Sequence, residues 1–251
     1  MDVYKAALSA TLPPIDGVTV GNHPIIIDLF KGFTNLRPRE YKESPKWSVD
    51  NVLQKISNWG SNESLKSKLL VMKLALLIGL SSAGRSSELS YLSINFMHWH
   101  PRGVEFSLLR HKKNRKSATL PGKLFISEYK DNPLLCPISC LKVYLKRTEH
   151  LQRDNGELFL GTIKPFNPVS PATISRWLTK IIRLTGEEFG SKTTIGHEVR
   201  ANAASKAANL GLSTEEVLAA GEWRSNSVFQ KFYFTKNHVK FGTTVLEPFG
   251  R

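Results

Sequence analysis

Cysteine is scarce in this 251-residue chain, and Cys136 and Cys140 are the only two. They stand in Cys-Pro-Ile-Ser-Cys at helical spacing, and a metal site needs more ligands than this pair supplies. A disulfide framework is excluded; two buried thiols, or one buried and one half-exposed, in a reducing compartment are expected. Long apolar runs are missing too. The best of them, Leu69 to Leu80, contains Lys73 and is too short to span a bilayer. The first residues, Met-Asp-Val-Tyr-Lys, lack the basic and apolar regions of a secretory signal. A soluble intracellular protein with no membrane partner is the expectation. Acidic side chains are few, 21 against 35 basic ones, which leaves a formal charge of +14. Such a surface steers polyanions toward itself, although charge alone does not separate a nucleic-acid protein from a merely basic one. An apolar share of 41 % is enough for a real core, which argues against wholesale disorder.

Pro13-Pro14, Gly17, Gly21, Pro24, Gly32, Pro38 and Pro45 punctuate the first 47 residues too often for a long helix. An irregular arm is expected there, with Ile25-Ile26-Ile27 and Leu29-Phe30 docking on the body. Ser48 is placed to cap a helix whose Val49, Val52, Leu53, Ile56 and Trp59 share one face. The strongest helix is predicted over 62–80, apolar around most of its girth as a central helix should be. A turn at Ser81-Ser82-Ala83-Gly84 follows, with a new helix from about Arg85. Residues 104–109 and 118–126 read as two strands joined by a charged turn. Further helices are expected over 137–150, 172–184, 197–210, 213–220 and 225–234, with Leu158-Phe159-Leu160 as a short buried segment. The fold class is mainly α with a small antiparallel β-sheet. Alternating strands and crossover helices are missing, which disfavours a nucleotide-binding parallel sheet.

Several polar residues stand out against this frame. Arg85 at a helix start opposes the helix dipole, a cost that makes sense if an anion sits there. The plainer alternative is an ion pair with Glu88 one turn on, and the two can coexist if Glu88 holds Arg85 in its working orientation. His197 and Arg200, at i and i+3, project to one side of a helix start and suit a phosphate whose charge grows in a transition state. A capping histidine and a surface arginine is the alternative. The turn Arg110-His111-Lys112-Lys113-Asn114-Arg115-Lys116 has five basic residues in seven. It is either a solvated hairpin tip or a basic finger that contacts phosphates and delivers a proton. Tyr233 is a potential nucleophile once its phenolate is favoured by cations, and Trp223 carries an indole N–H donor. A buried tryptophan and a half-exposed tyrosine are commoner in proteins at large. Together these residues make a kit for breaking a DNA phosphodiester.

On Gly84-Arg85-Ser-Ser-Glu88, the hairpin lysine, His197-x-x-Arg200 and Trp223…Tyr233, in that order, the chain resembles a tyrosine recombinase (phage integrase-like) catalytic domain. The phrases at 47–53, 135–141 and 221–233 resemble the recombinases of eukaryotic DIRS-like and Crypton mobile elements. The resemblance implies that fold, and a domain layout with an arm and linking helix at 1–61, a remnant of the family's separate core-binding domain. The catalytic domain would cover 62–236, followed by a tail at 237–251. It also implies roles. Arg85 and Arg200 bind the scissile phosphate, and His197 assists proton movement. Trp223 packs and donates a hydrogen bond, while Tyr233 attacks to form a 3′-phosphotyrosyl link. Lys113, ahead of Lys112 and Lys116, protonates the leaving 5′-oxygen, and Glu88 orients from behind. Arg110, Lys112, Arg115 and Lys116 bind DNA. No metal or other cofactor is implied, because cationic side chains supply the charge stabilisation that two metal ions provide elsewhere. Double-stranded DNA is the expected partner, with self-association on DNA through the tail. The expected location is the nucleus for a eukaryotic mobile element, and the cytoplasm otherwise. A domesticated DNA-binding domain and a topoisomerase-like relaxase are the alternatives.

Overall fold

Every residue from Leu70 to Gly79 is buried in the computed structural model, which describes residues 2–37, 47–108, 122–151, 153, 156–187 and 195–221, the side chains of residues 2 and 195–197 excepted. By spatial contact the chain forms two units, Met1–Ser44 and Pro45–Arg251. The buried stretch belongs to helix α4 (Ser67–Ser82) of the second unit. A helix with almost no polar face is stable only inside other elements. Here α6 (Pro137–Thr148), α7 (Pro171–Leu184) and α8 (Ile195–Asn209) surround it. A three-stranded antiparallel sheet, β1 (Met97–His100), β2 (Gly103–Leu108) and β3 (Gly122–Ser127), closes another side. Its register sets Phe106 opposite both Met97 and Leu124. Val104, Phe106, Leu108, Leu124 and Ile126 therefore share the buried face, and Lys123, Phe125 and Ser127 the exposed one.

Mainly helical architecture with a small antiparallel sheet matches the expectation from sequence. Ser48 caps α3 (Val49–Ser57) by accepting from the Asn51 N–H at 3.2 Å. Val52 and Ile56 of α3 are fully buried in the second unit's core. The unit boundary thus falls ahead of α3.

Three local expectations need correction. The first 37 residues are not an irregular arm: α1 (Asp2–Thr11) and α2 (Pro24–Leu36) are helices. Pro13-Pro14, Gly17 and Gly21 fall between them, with Asp16 and Gly17 both at positive φ; Pro24 sits in the first turn of α2, where a missing N–H costs nothing, and Gly32 is accommodated inside it. None of α2's residues is fully buried. Second, α4 starts at Ser67, because Ser64 closes a local turn by bonding Ser61 through both its N–H and its hydroxyl, at 3.1 and 2.8 Å. It then runs past Gly79 to Ser82, and Ser81 and Ser82 are helical rather than part of the turn. Third, β1 is a strand that periodicity did not reveal, since Met97-His98-Trp99-His100 has only its first residue half-buried. Residues 109–121 and 222–251, which hold the hairpin tip and the last expected helix, lie outside the described residues.

Candidate active site

Ala83 ends α4 in the left-handed conformation, at φ 48°. Gly84 follows in a crowded place: a Cβ there would lie 2.6 Å from Leu89 Cδ1 and 3.0 Å from Ser82 Oγ. This tight exit delivers the chain to Arg85, the N-cap of the short helix α5 (Ser86–Ser90). Glu88, in the first turn of α5, accepts the Arg85 backbone N–H at 2.8 Å and its guanidinium Nη1 at 2.5 Å. The carboxylate therefore fixes Arg85 at both ends. The ion-pair reading of Arg85 is correct, and the side chain stays one-third exposed.

Arg200 comes to the same place from α8. Gly79 of α4 faces Val199 of α8, where a Cβ would stand 3.4 Å from Val199 Cγ1, an ordinary van der Waals contact. The arginine is 1 % exposed, so the surface-arginine alternative is wrong. Its Nη1 donates to the Ala83 carbonyl at 2.7 Å, and its Nη2 donates to the Gly221 carbonyl. Those carbonyls end α4 and α9 (Thr214–Ala220). Helix C-termini carry partial negative charge, which suits a buried cation. Glu88 Oε2 is 3.8 Å from Arg200 Nη1. One carboxylate thus stands between two arginines drawn from opposite ends of the body's sequence.

A pocket of about 330 Å³ opens beside them, lined by Ser82, Glu88, Lys123, Leu124, Arg200 and Gly221 among others. Leu108 and Lys123, also on its wall, flank the segment that contains Lys113. Gly221 stands two positions before Trp223 in the sequence. His197 is in the first turn of α8, one turn ahead of Arg200; its side chain lies outside the described residues. Also outside are Arg110, Lys112, Lys113, Arg115, Lys116, Trp223 and Tyr233. Of the residues named from sequence, the structure brings together Arg85, Glu88 and Arg200.

Three features escaped the sequence reading. Lys123, at the pocket wall, bonds Glu105 across the sheet at 2.9 Å, and that bond lowers the Glu105 carboxyl below its usual range. The outer side of α7 carries Arg176, Lys180 and Arg183, all exposed, beside a groove of about 470 Å³. The i, i+4, i+7 spacing of these cations, opposite Ile174, Trp177, Leu178 and Ile181, was available in the sequence. Glu198 is 7 % exposed, and neither of its carboxylate oxygens completes a hydrogen bond of normal geometry. Burial raises its pKa above the usual range, and the facing Trp47 indole offsets part of that rise. No signal in His-Glu-Val-Arg distinguished it.

Recombinases and integrases are among the solved structures with a similar arrangement of elements. The XerA recombinase matches at a TM-score of 0.60 and 15 % identity, over 98 % of this chain and 82 % of that one. XerH bound to its palindromic difH substrate after cleavage gives 0.62 at 14 % identity, over 97 % and 68 %. The Tn1549 transposon integrase with circular-intermediate DNA gives 0.61 at 14 % identity, over 97 % and 75 %. The fold is that of the tyrosine recombinases. No family model matches the sequence, and no curated protein matches it. At these identities the likeness concerns the tyrosine-recombinase fold, and the site has to be argued from this chain's own residues.

Proposed function

We propose that this chain cuts and rejoins DNA strands through a covalent tyrosyl intermediate. The observation that carries the reading is the Arg85–Glu88–Arg200 cluster: two guanidinium groups within 4 Å of one carboxylate, at the edge of a pocket. Two arginines converging from separate helices suit a single phosphoryl group, whose non-bridging oxygens gain charge during displacement. In the reaction, the Tyr233 phenolate oxygen bonds to phosphorus and the bond to the 5′-oxygen breaks. Lys113 gives that oxygen its proton. The products are a 3′-phosphotyrosyl link and a 5′-hydroxyl, and attack by another 5′-hydroxyl reverses the step on a new partner. His197 contacts the same phosphate and Trp223 hydrogen-bonds to it. The catalytic part is residues 62–236.

The finer reading is that of a mobile-element recombinase acting in the nucleus, on the likeness of residues 47–53, 135–141 and 221–233 to DIRS-like and Crypton enzymes. The DNA-bound states of the XerH and Tn1549 structures support duplex DNA as partner. The cations of α7 and the hairpin would grip its backbone, and copies would assemble on DNA through the 237–251 tail. The deciding experiment is mass spectrometry of adducts trapped on nicked duplexes. Wild-type chain is expected to yield a peptide linked at Tyr233, and Tyr233→Phe none, with DNA affinity nearly unchanged. An adduct that persists in Tyr233→Phe removes that residue as nucleophile. Salt-sensitive binding without any adduct points instead to a DNA-binding domain that does not turn over.

A further inference from the structure

The side of α8 opposite the pocket carries a second polar constellation. At about 100° per residue, Glu198 and Asn202 each stand roughly 160° around the helix from Arg200. With Lys206 they form an i, i+4, i+8 stripe, and all three engage the segment that leads into α3. The Glu198 carboxylate oxygens and the Trp47 indole Nε1 are all buried on this seam, and none completes a hydrogen bond of normal geometry among the described residues; the indole acts on the carboxyl across that gap. Asn202 Nδ2 donates to the Trp47 carbonyl at 3.5 Å, and Lys206 pairs with Asp50. Glu187, just past α7, accepts the Ser48 N–H at 3.0 Å and pins the same segment from another side. Trp47 is 3 % exposed. The seam is therefore dry at the Glu198 end and wetter toward Asp50.

A buried carboxyl on a catalytic-site helix is costly unless it fixes something. We propose that Glu198 and Trp47 form a positioning couple, which sets the rotation of α8 about its axis and so the reach of Arg200 toward Ala83 and Gly221. Glu198 is too far round the helix to touch the pocket, so it acts only through α8. Among the described residues, the other charges facing α8 are engaged: Glu88 of α5 pairs with Arg85 and stands 3.8 Å from Arg200 Nη1. Asp50 of α3 holds Lys206, and Glu187 holds Ser48. Lys73 of α4 lies by Cys140, and Glu216 of α9 closes its own capping box with Ser213. The cations of α7 line its exposed outer side. Ionisation of Glu198 is thus felt first by Trp47.

The couple is a property of the free chain; only its consequence for strand cleavage rests on the function proposed above. The test uses the full-length, DNA-free, ¹⁵N-labelled chain, with resonances assigned through W47F and E198Q. From about pH 4 to about pH 8 the Trp47 indole N–H signal should shift with a midpoint above the ordinary glutamate value. The Arg200 Nε–H signal should follow with the same midpoint. The Trp47 shift, and the part of the Arg200 shift that shares its midpoint, should vanish in E198Q, and that part of the Arg200 shift should vanish in W47F. A Trp47 signal that ignores pH overturns the proposal, as does an Arg200 signal indifferent to both substitutions. A purely structural contact would change melting without making Arg200 track the titration. On DNA, E198A should slow adduct formation at saturating substrate by about tenfold or more, with affinity unchanged and E198Q restoring most of the rate. If wild type forms no adduct, the strand-cleavage reading fails while the two resonances still decide the couple.

Discussion

Lys73 lies in the middle of α4 with a fully buried side chain, and its Nζ has no hydrogen-bond partner among the described residues. Burial lowers its pKa from the usual lysine value, and the nearby Cys140 and Glu63 only partly oppose that. Cys140 shows the complementary effect: burial pushes its thiol up to about 12, so it stays protonated and inert. With the lysine pKa depressed on folding, the unfolded chain binds more protons between the folded value and about 10.4. Stability from this residue should therefore rise as pH rises through that window and be lost as pH falls through it. Lys73→Met, of similar length and without the charge, is expected to raise the urea midpoint at neutral pH. The gain should shrink toward pH ~10. At about 2–4 °C per kcal/mol for a unit of this size, a calorimeter would see the same change. A lower midpoint at neutral pH would mean that the ammonium has partners that compensate its burial.

At the scale of elements, α7 presents a charged side that its apolar side made inevitable. Ile174, Trp177, Leu178, Ile181 and Ile182 face the core, so Arg176, Lys180 and Arg183 must face out. If DNA lies along them, each cation removed should reduce the magnitude of the slope of log affinity against log salt by about 0.9. The triple glutamine variant is thus expected to flatten that slope while melting within about 0.5 kcal/mol of wild type. An unchanged slope would put the DNA elsewhere. Elements such as α3, α6, α7 and α9 were legible from their apolar period, with Ser48 placed to cap α3; the structure adds caps at Ser170 and Ser213. The α1–α2 region was not, because breakers that separate two helices look the same as breakers that prevent one. At the site, Arg85 and Glu88 were legible because they are one turn apart. The burial of Arg200 was not, since its partners are main-chain carbonyls, which carry no sequence signature.

Across the whole molecule, charge and burial divide unequally between the two units. Residues 1–44 balance Asp2, Asp16, Asp28, Glu40 and Glu43 against Lys5, Lys31, Arg37, Arg39 and Lys42. The net +14 therefore resides after Ser44. In the first unit no residue of α2 is fully buried, whereas α4 fully buries ten consecutive residues. Local opening free energies follow burial and backbone protection. Amides of α1 and α2 are expected to exchange with deuterium orders of magnitude faster than those of α4, as mass spectrometry of peptic fragments would reveal. Equal protection would show that the first unit is held as firmly as the core. Arg200, finally, ties the C-terminal carbonyls of α4 and α9 to α8, so the architecture depends on it whether or not DNA is ever cut. A descendant that abandoned catalysis would have no licence to discard this arginine, because its fold would loosen. Arg85, one-third exposed and held by the single carboxylate of Glu88, carries no such structural duty, so a change there would bear on the proposed chemistry alone.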